Sequence, residues 1–318
     1  MIARAATHAR SEEAQAPVAE PQPGTIIDDF SVAYRISRGM SADVFAVWHH
    51  KLLTPLVCKR IRPEDGGNLA RCAQLRTEGR ALARLRHPGV VQLIEENTRP
   101  PLPYLLLEHV GSRTLRDELR ESGAFELGRA VRIVQHIGAA VAYVHSRGLL
   151  HRDLKPSNVA MREGRPVLLD FGVAWKLGDR RRRPPDRSGT PQYLAPEQIL
   201  RAPLSPATDV YGLGALLFEL LAGERPFRAG SKDWHKPLEA RYPQLSESPN
   251  LCALRTRRVP ANLCEIVSTS LARDPLARFQ SAIEFSAAID EFTTVKIYPE
   301  GLTPQSALLR ASVTSATA

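Results

Sequence analysis

The sequence predicts an α+β fold, with strands gathered towards the N-terminal end around one helix and helices dominating the remainder. Three observations carry this prediction. Leu56–Ile61, Val90–Ile94 and Tyr104–Leu107 are apolar runs of strand length, with Pro100, Pro101 and Pro103 in the turn before the last. Asn68–Arg86 carries Leu75, Leu82 and Leu85 on one helical face. Leu127–Ser146 places Ala130, Ile133, Val134, Ile137, Val141 and Val144 at the spacing of an amphipathic helix, whereas Asp209–Leu221 is apolar nearly all round, as a central core helix is.

The remaining elements follow in chain order. Residues 1–24 are rich in Ala, Glu, Gln and Pro without periodicity and read as a disordered tail, with folded structure starting near Thr25–Phe30. Ser205-Pro206 reads as an N-cap with Pro at the first helical position, and Gly223 closes the same helix. Pro260–Leu271 and Ser281–Phe292 are further helix candidates. Ser231–Pro249 receives no assignment, and residues 294–318 are Ser/Thr-rich and read as a second disordered tail. Neither an internal repeat nor a second domain is evident.

Length and composition allow a large buried core: 318 residues, 43% hydrophobic and 24% charged. The net charge of +9, carried mostly by Arg, raises nucleic acid or an anionic membrane as partners. No nucleic-acid motif accompanies it, so the charge reads as a solvated basic surface and no nucleic acid is expected. Cys58, Cys72, Cys252 and Cys264 form no C-x-x-C pair and read as reduced thiols of a cytoplasmic protein. No run of eighteen apolar residues suggests a membrane span, and the N-terminus lacks the apolar core of a signal peptide.

The chemistry is concentrated in Leu150-His151-Arg152-Asp153-Leu154-Lys155-Pro156-Ser157-Asn158, which has the form H-R-D-L-x-x-x-N. Asp170-Phe171-Gly172 follows twelve residues after Asn158, behind the apolar run Pro166–Leu169, and Ala195-Pro196-Glu197 follows in turn. On these three signatures the chain resembles the eukaryotic-type Ser/Thr protein kinases, most closely their bacterial members, over roughly residues 25–292. The resemblance implies a bilobal fold within residues 25–293. A small β-rich lobe (about 25–107) with one main helix would join a larger helical lobe (113–293) through a hinge at 108–112.

The same resemblance implies residue roles. Asp153 would accept or orient the proton of the substrate hydroxyl, and Lys155 would spread the charge developing on the γ-phosphate. Asn158 and Asp170 offer hard oxygen ligands that suit Mg2+, with Mn2+ as an alternative ion, in an ATP complex. Lys59 would pair with the α- and β-phosphates, and Glu78 in the helix Asn68–Arg86 would hold Lys59. Ser37, Arg38 and Gly39 occupy the place of the glycine-rich phosphate loop, but only Gly39 survives of its three glycines. Glycine matters there because backbone amides must approach phosphate closely. Val44, Val57, Leu107 and Ala160 would line the adenine slot, with the backbone of Glu108 and Val110 at its edge. Relatives usually carry Ala at the Val57 position and a larger residue at Ala160, so the roof has grown while the floor has shrunk.

Further positions are structural or regulatory. Asp209 would hold the catalytic-loop backbone, and Arg278 would form a buried ion pair with Glu197. Thr190 would bond Asp153 and Lys155, and together with Lys155-Pro156-Ser157 it favours Ser/Thr over Tyr specificity. Arg152 stands ready for a phosphate, for which Ser188 is the available hydroxyl. Arg180–Arg183 form a basic run suited to an acidic partner or substrate. Ser157 stands where kinases that favour basic substrates often carry Glu, so a strong preference for substrate Arg is not expected. The alternatives are a pseudokinase scaffold, for which the degraded glycine loop speaks, and a small-molecule kinase, against which Gly189-Thr190 and Ala195-Pro196-Glu197 speak. Transfer of phosphate from Mg-ATP separates the first from an active enzyme.

Overall fold

The structure is a computed structural model and describes residues 20–39, 42–62, 65, 68–99, 103–111, 113–179, 183–184 and 186–293. The N-terminal lobe is a six-stranded antiparallel sheet of order β1-β2-β3-β4-β6-β5. Its strands are β1 (Ile26–Ile27), β2 (Phe30–Arg38), β3 (Asp43–His49), β4 (Thr54–Arg60), β5 (Leu93–Asn97) and β6 (Tyr104–Glu108). Alternation gives the sheet two faces: Phe30, Val32, Phe45, Val47, Leu56, Cys58, Tyr104 and Leu106 form a closed cluster on one. The opposite face receives helix α1 (Leu69–Leu82), which starts where Asn68 Oδ1 accepts the amides of Ala70 and Arg71 at 3.1 Å.

Beyond residue 113 helices dominate. They are α2 (Leu115–Ser122), α3 (Leu127–Ser146), α4 (Pro196–Leu200), α5 (Pro206–Ala222), α6 (Leu238–Arg241), α7 (Leu251–Thr256), α8 (Ala261–Ser270) and α9 (Ala282–Ala288). Two small antiparallel pairs, β7 (Leu149–Leu150) with β10 (Trp175–Lys176) and β8 (Val159–Arg162) with β9 (Arg165–Leu168), frame the loop between them. Helix α5 is the centre: every residue from Ala207 to Leu221 is buried. Gly223, at φ +78°, ends it.

One sequence expectation is corrected. The strand expected at Val90–Ile94 lies at Leu93–Asn97, and Val90 instead bridges Leu168 in the other lobe. Ser205 stands at the N-cap of α5 with Pro206 at the first helical position, as expected, although its side chain makes no cap hydrogen bond and its amide donates to Thr208 Oγ1 at 3.3 Å. The expected tail at 1–24 lies outside the described residues as far as 19. Residues 20–24 are described, and Gly24 donates its amide to Val32 O at 2.8 Å. The tail expected at 294–318 and hinge residue 112 also lie outside them.

Candidate active site

The site lies where the sheet meets the helical lobe. Strand β4 carries Lys59, in register with Val44 on β3 and Leu105 on β6. Lys59 Nζ donates to both Glu78 oxygens at 2.7 and 2.9 Å and to Asp170 Oδ1 at 2.9 Å. Burial works against the Lys59 charge, but the carboxylates of Asp170 and Glu78 hold its pKa above the ordinary lysine range. Burial pushes the Glu78 carboxyl up to about 7; the Lys59 charge opposes that rise and the Asp170 charge adds to it. Burial would also raise Asp170, but Lys59 and the Gly172 amide outweigh it and hold this carboxyl low. One ammonium thus serves two carboxylates, and the buried one is the weaker acid.

The catalytic-loop backbone is anchored from below. Asp209, 1% exposed, accepts the amides of His151 and Arg152, each at 2.8 Å, and His145 Nε2 at 2.8 Å. Arg152 sits at φ +70°, a strained region for a long side chain, and the two amide bonds hold it there. Burial raises the Asp209 carboxyl, but its hydrogen bond to His145 and nearby charges outweigh this and depress it below 3.8. A depressed carboxyl stabilises the fold above its ordinary pKa and loses that contribution as pH falls through the folded value. Raising the pH from about 3 to about 7 is therefore expected to raise the urea midpoint more in the parent than in Asp209→Asn. Parallel pH profiles for the two proteins would contradict this.

Above that anchor, Asp153 is fixed on both oxygens. Oδ2 accepts Lys155 Nζ at 2.6 Å and Asn158 Nδ2 at 2.9 Å; Oδ1 accepts the Thr190 amide at 2.9 Å. Lys155 Nζ also reaches Thr190 Oγ1 at 2.5 Å. Asn158 Nδ2 additionally donates to Asp153 O at 2.9 Å, which turns its amide oxygen away from the loop. Neither Asn158 Oδ1 nor Asp170 Oδ2 accepts a protein hydrogen bond among the described residues. Two bare hard oxygens suit a small divalent cation. Among the described residues no group of three or more His, Cys, Asp or Glu forms a metal cage, so phosphate oxygens and water would have to complete the shell.

The expected phosphate loop lies between β2 and β3, with Ser37 opposite Val44 and Arg38 opposite Asp43. The side chains of Ser37 and Arg38 are exposed. The Gly39 amide donates to Ala42 O at 3.0 Å, and a Cβ at Gly39 would lie 2.5 Å from that oxygen, so only glycine fits the turn. Two residues missed in the sequence act here: Arg62 donates to Gly39 O, and its Nε lies 3.4 Å from Asp43 Oδ1. Asp43 is buried beneath the loop. No motif marks either residue.

The expected adenine slot is apolar. Leu107, Val110 and Ala160 belong to the main core cluster, Val57 packs against it, and Val44 is half-buried. The Glu108 side chain turns aside, accepting the Gln92 amide at 2.9 Å and pairing with Arg162 at 2.8 Å. Phe171 is fully buried against His151, with ring centroids 4.7 Å apart.

Among the regulatory candidates, Arg152 is buried, with Nη1 on Val173 O at 3.1 Å, while Nε and Nη2 have no hydrogen-bond partner among the described residues. The structure does not bring Ser188 to Arg152. Its amide and hydroxyl donate to Asp186 Oδ1 at 3.2 and 2.5 Å. Of the basic run, Arg180–Arg182 lie outside the described residues, and Arg183 is exposed. Glu197 and Arg278 form a bidentate pair with both contacts at 2.8 Å.

Among curated proteins, the chain is similar to "Serine/threonine-protein kinase PknB" of Mycobacterium tuberculosis (strain ATCC 25177 / H37Ra), at 29% identity over 83% of this chain and 43% of that protein. PknB of Mycolicibacterium smegmatis is 30% identical over the same shares. "Probable serine/threonine-protein kinase SCO3848" of Streptomyces coelicolor is 30% identical over 80% of this chain and 38% of its own length. The chain thus spans less than half the length of these relatives. The protein kinase domain family matches residues 30–286. With that match covering most of the chain, and with Lys59, Glu78, Asp153, Asn158 and Asp170 gathered in one cleft, the chain belongs to the protein kinase domain family, where it resembles the bacterial eukaryotic-type Ser/Thr kinases.

Proposed function

We propose that this chain is a Ser/Thr protein kinase that transfers the γ-phosphate of ATP, bound with Mg2+, to Ser or Thr hydroxyls of proteins. The observation that carries the reading is Asp153, whose Oδ2 is held by Lys155 and Asn158 and whose Oδ1 is held by the Thr190 amide. Phosphoryl transfer asks a protein for positioning and charge neutralisation more than for covalent help. Asp153 would take the acceptor proton, and Lys155 would put a positive charge beside it. Asn158 Oδ1 and Asp170 Oδ2 would hold Mg2+, which supplies charge neutralisation across the phosphates. Lys59, kept cationic by Glu78 and Asp170, would hold the non-transferred phosphates. A binding scaffold without transfer has no use for this set. A cytoplasmic location fits the four free cysteines, three of them buried.

The test is incorporation of labelled phosphate from Mg-ATP into a mixed protein substrate, followed by phosphoamino-acid analysis. Label on Ser and Thr, absent with Asp153→Ala, is expected; no label above that variant would refute the assignment.

In the adenine slot, Val57→Ala removes two methyl groups from a half-buried wall and leaves a gap above Ala160. ATP is expected to bind about three- to tenfold more weakly. Unchanged or tighter nucleotide affinity by calorimetry would count against the pairing of Val57 with Ala160.

A further inference from the structure

Glu108 ends β6, and its carboxylate is engaged on both lobes. Oε1 accepts the Gln92 amide at 2.9 Å, while the Glu108 amide donates to Gln92 O at 3.0 Å. Gln92 is itself braced: its Nε2 donates to Val90 O at 3.0 Å, and its Oε1 accepts Arg86 Nη1 at 3.1 Å. The other oxygen, Glu108 Oε2, lies 2.8 Å from Arg162 Nη2. Arg162 ends β8, the strand that carries Ala160. Side chains two apart on a strand share a face, so Arg162 and Ala160 lie on the same side of β8.

The charges around Arg162 make this pairing specific. The β8–β9 hairpin sets Arg162 opposite Arg165, and like charges on facing positions destabilise a strand pair. Arg165 is exposed and keeps its hydration, whereas Arg162 Nη2 is buried and has no hydrogen-bond partner among the described residues. A buried cationic nitrogen needs a counter-charge. Glu163, in the hairpin turn, is exposed and pairs with neither arginine among the described residues. Glu108 is the carboxylate that meets the need.

The chain beyond Glu108 rests on the same strand. The Met161 amide donates to Arg113 O at 3.2 Å, and Thr114 bridges Ala160. Gly111 has φ +100°, and a Cβ there would lie 3.2 Å from Met161 O. Strand β8 is therefore held against the hinge on one side by backbone contacts and on the other by the Glu108–Arg162 pair.

We propose that Arg162 is a positioning residue for the nucleotide: through Glu108 it fixes the spacing between the hinge backbone at the adenine edge and the floor at Ala160. The inference rests on the kinase reading and deepens it. Removing the arginine frees Glu108 Oε2 but leaves Oε1 on Gln92. The hinge then stays tied to the small lobe and loosens from the floor. Neither Asp153 nor Asp170 touches this pair, so the loss falls on adenine binding and spares the transfer step.

The experiment uses the full chain. Binding of Mg-ADP and of adenosine is measured by calorimetry, alongside the KM for ATP and the maximal rate of phosphate transfer to a mixed protein substrate. The side chains of Arg162 and Glu108 are 38% and 22% exposed, so the effect is that of a partly screened pair. Arg162→Ala is expected to weaken ADP and adenosine by the same factor, about two- to fivefold. The KM for ATP should rise in step while the maximal rate stays parental. Arg162→Lys keeps the charge and should recover part of the affinity. Glu108→Gln keeps an acceptor for the Gln92 amide but removes the charge; it should weaken ADP as Arg162→Ala does, and the double variant should lose no more than either single one. Parental ADP affinity in Arg162→Ala, or additive losses in the double variant, overturns the positioning role and leaves the kinase reading intact. A maximal rate that falls by the same factor as the affinity reports a general loosening of the fold and overturns it equally. A parent that binds no nucleotide and transfers no phosphate overturns the kinase reading and the positioning role together.

Discussion

Asp153→Ala and Asp170→Ala are each expected to lower phosphate transfer at least about a thousandfold while leaving the protein folded. Asp153 is the acceptor for Lys155, Asn158 and Thr190 at once, so removing its carboxylate would take away the proposed proton acceptor and release the groups bonded to it. Asp170 makes two contacts, to Lys59 and to the Gly172 amide, and its side chain is 44% exposed. Its loss costs the fold little and leaves Lys59 paired with Glu78. It would cost the metal one of two candidate protein oxygens. Circular dichroism and melting should match the parent for both variants, and labelled phosphate incorporation should not. A folded Asp170→Ala protein with near-parental activity would sink the assignment of this cleft.

What the sequence disclosed and what it hid divide along a physical line. Residues tied to the chemistry stood out because phosphate transfer fixes both type and spacing: Lys59 and Glu78, 19 residues apart, meet as their positions implied. Glu197 and Arg278 do the same across 81 residues. The long helices were legible because α3 and α5 repeat their pattern over several turns. Strand β5 was misplaced because it is the edge strand, where Glu95 and Glu96 face solvent. The apolar Val90 and Val91 beside it fill the core without pairing as a strand. Helices α2, α4 and α7 are too short for periodicity to register. Arg62 with Asp43, and Arg116 with Glu219 at 2.9 Å, were hidden because no motif marks either pair. One signal was present: Glu219 is, beside Asp209, one of two charges in a helix that is otherwise largely apolar, and a buried charge needs a partner.

Breaking the Glu197–Arg278 pair is expected to cost the fold about 3–5 kcal/mol, the largest stability effect of any surface-remote single change here. Arg278 is fully enclosed, and Glu197 is 4% exposed. The guanidinium also donates to the carbonyls of Ala272 at 2.7 Å, Ala207 at 3.0 Å and Arg273 at 3.1 Å, and stacks over Tyr211 at 5.0 Å. It therefore ties the start of α4 to the start of α5 and to the segment before α9. The two single variants should not be equal. Glu197→Ala leaves Arg278 three carbonyl acceptors. Arg278→Ala leaves the Glu197 carboxylate with no hydrogen-bond partner among the described residues and opens a cavity beside Tyr211. Arg278→Ala should thus be the worse of the two. The double variant Glu197→Gln/Arg278→Met removes both charges and fills most of the volume, so it should recover part of the loss. Urea midpoints of the three variants test this ordering. Single variants within about 1 kcal/mol of the parent, or a double variant as unstable as the sum of the singles, would show that the pair does not hold these helices together.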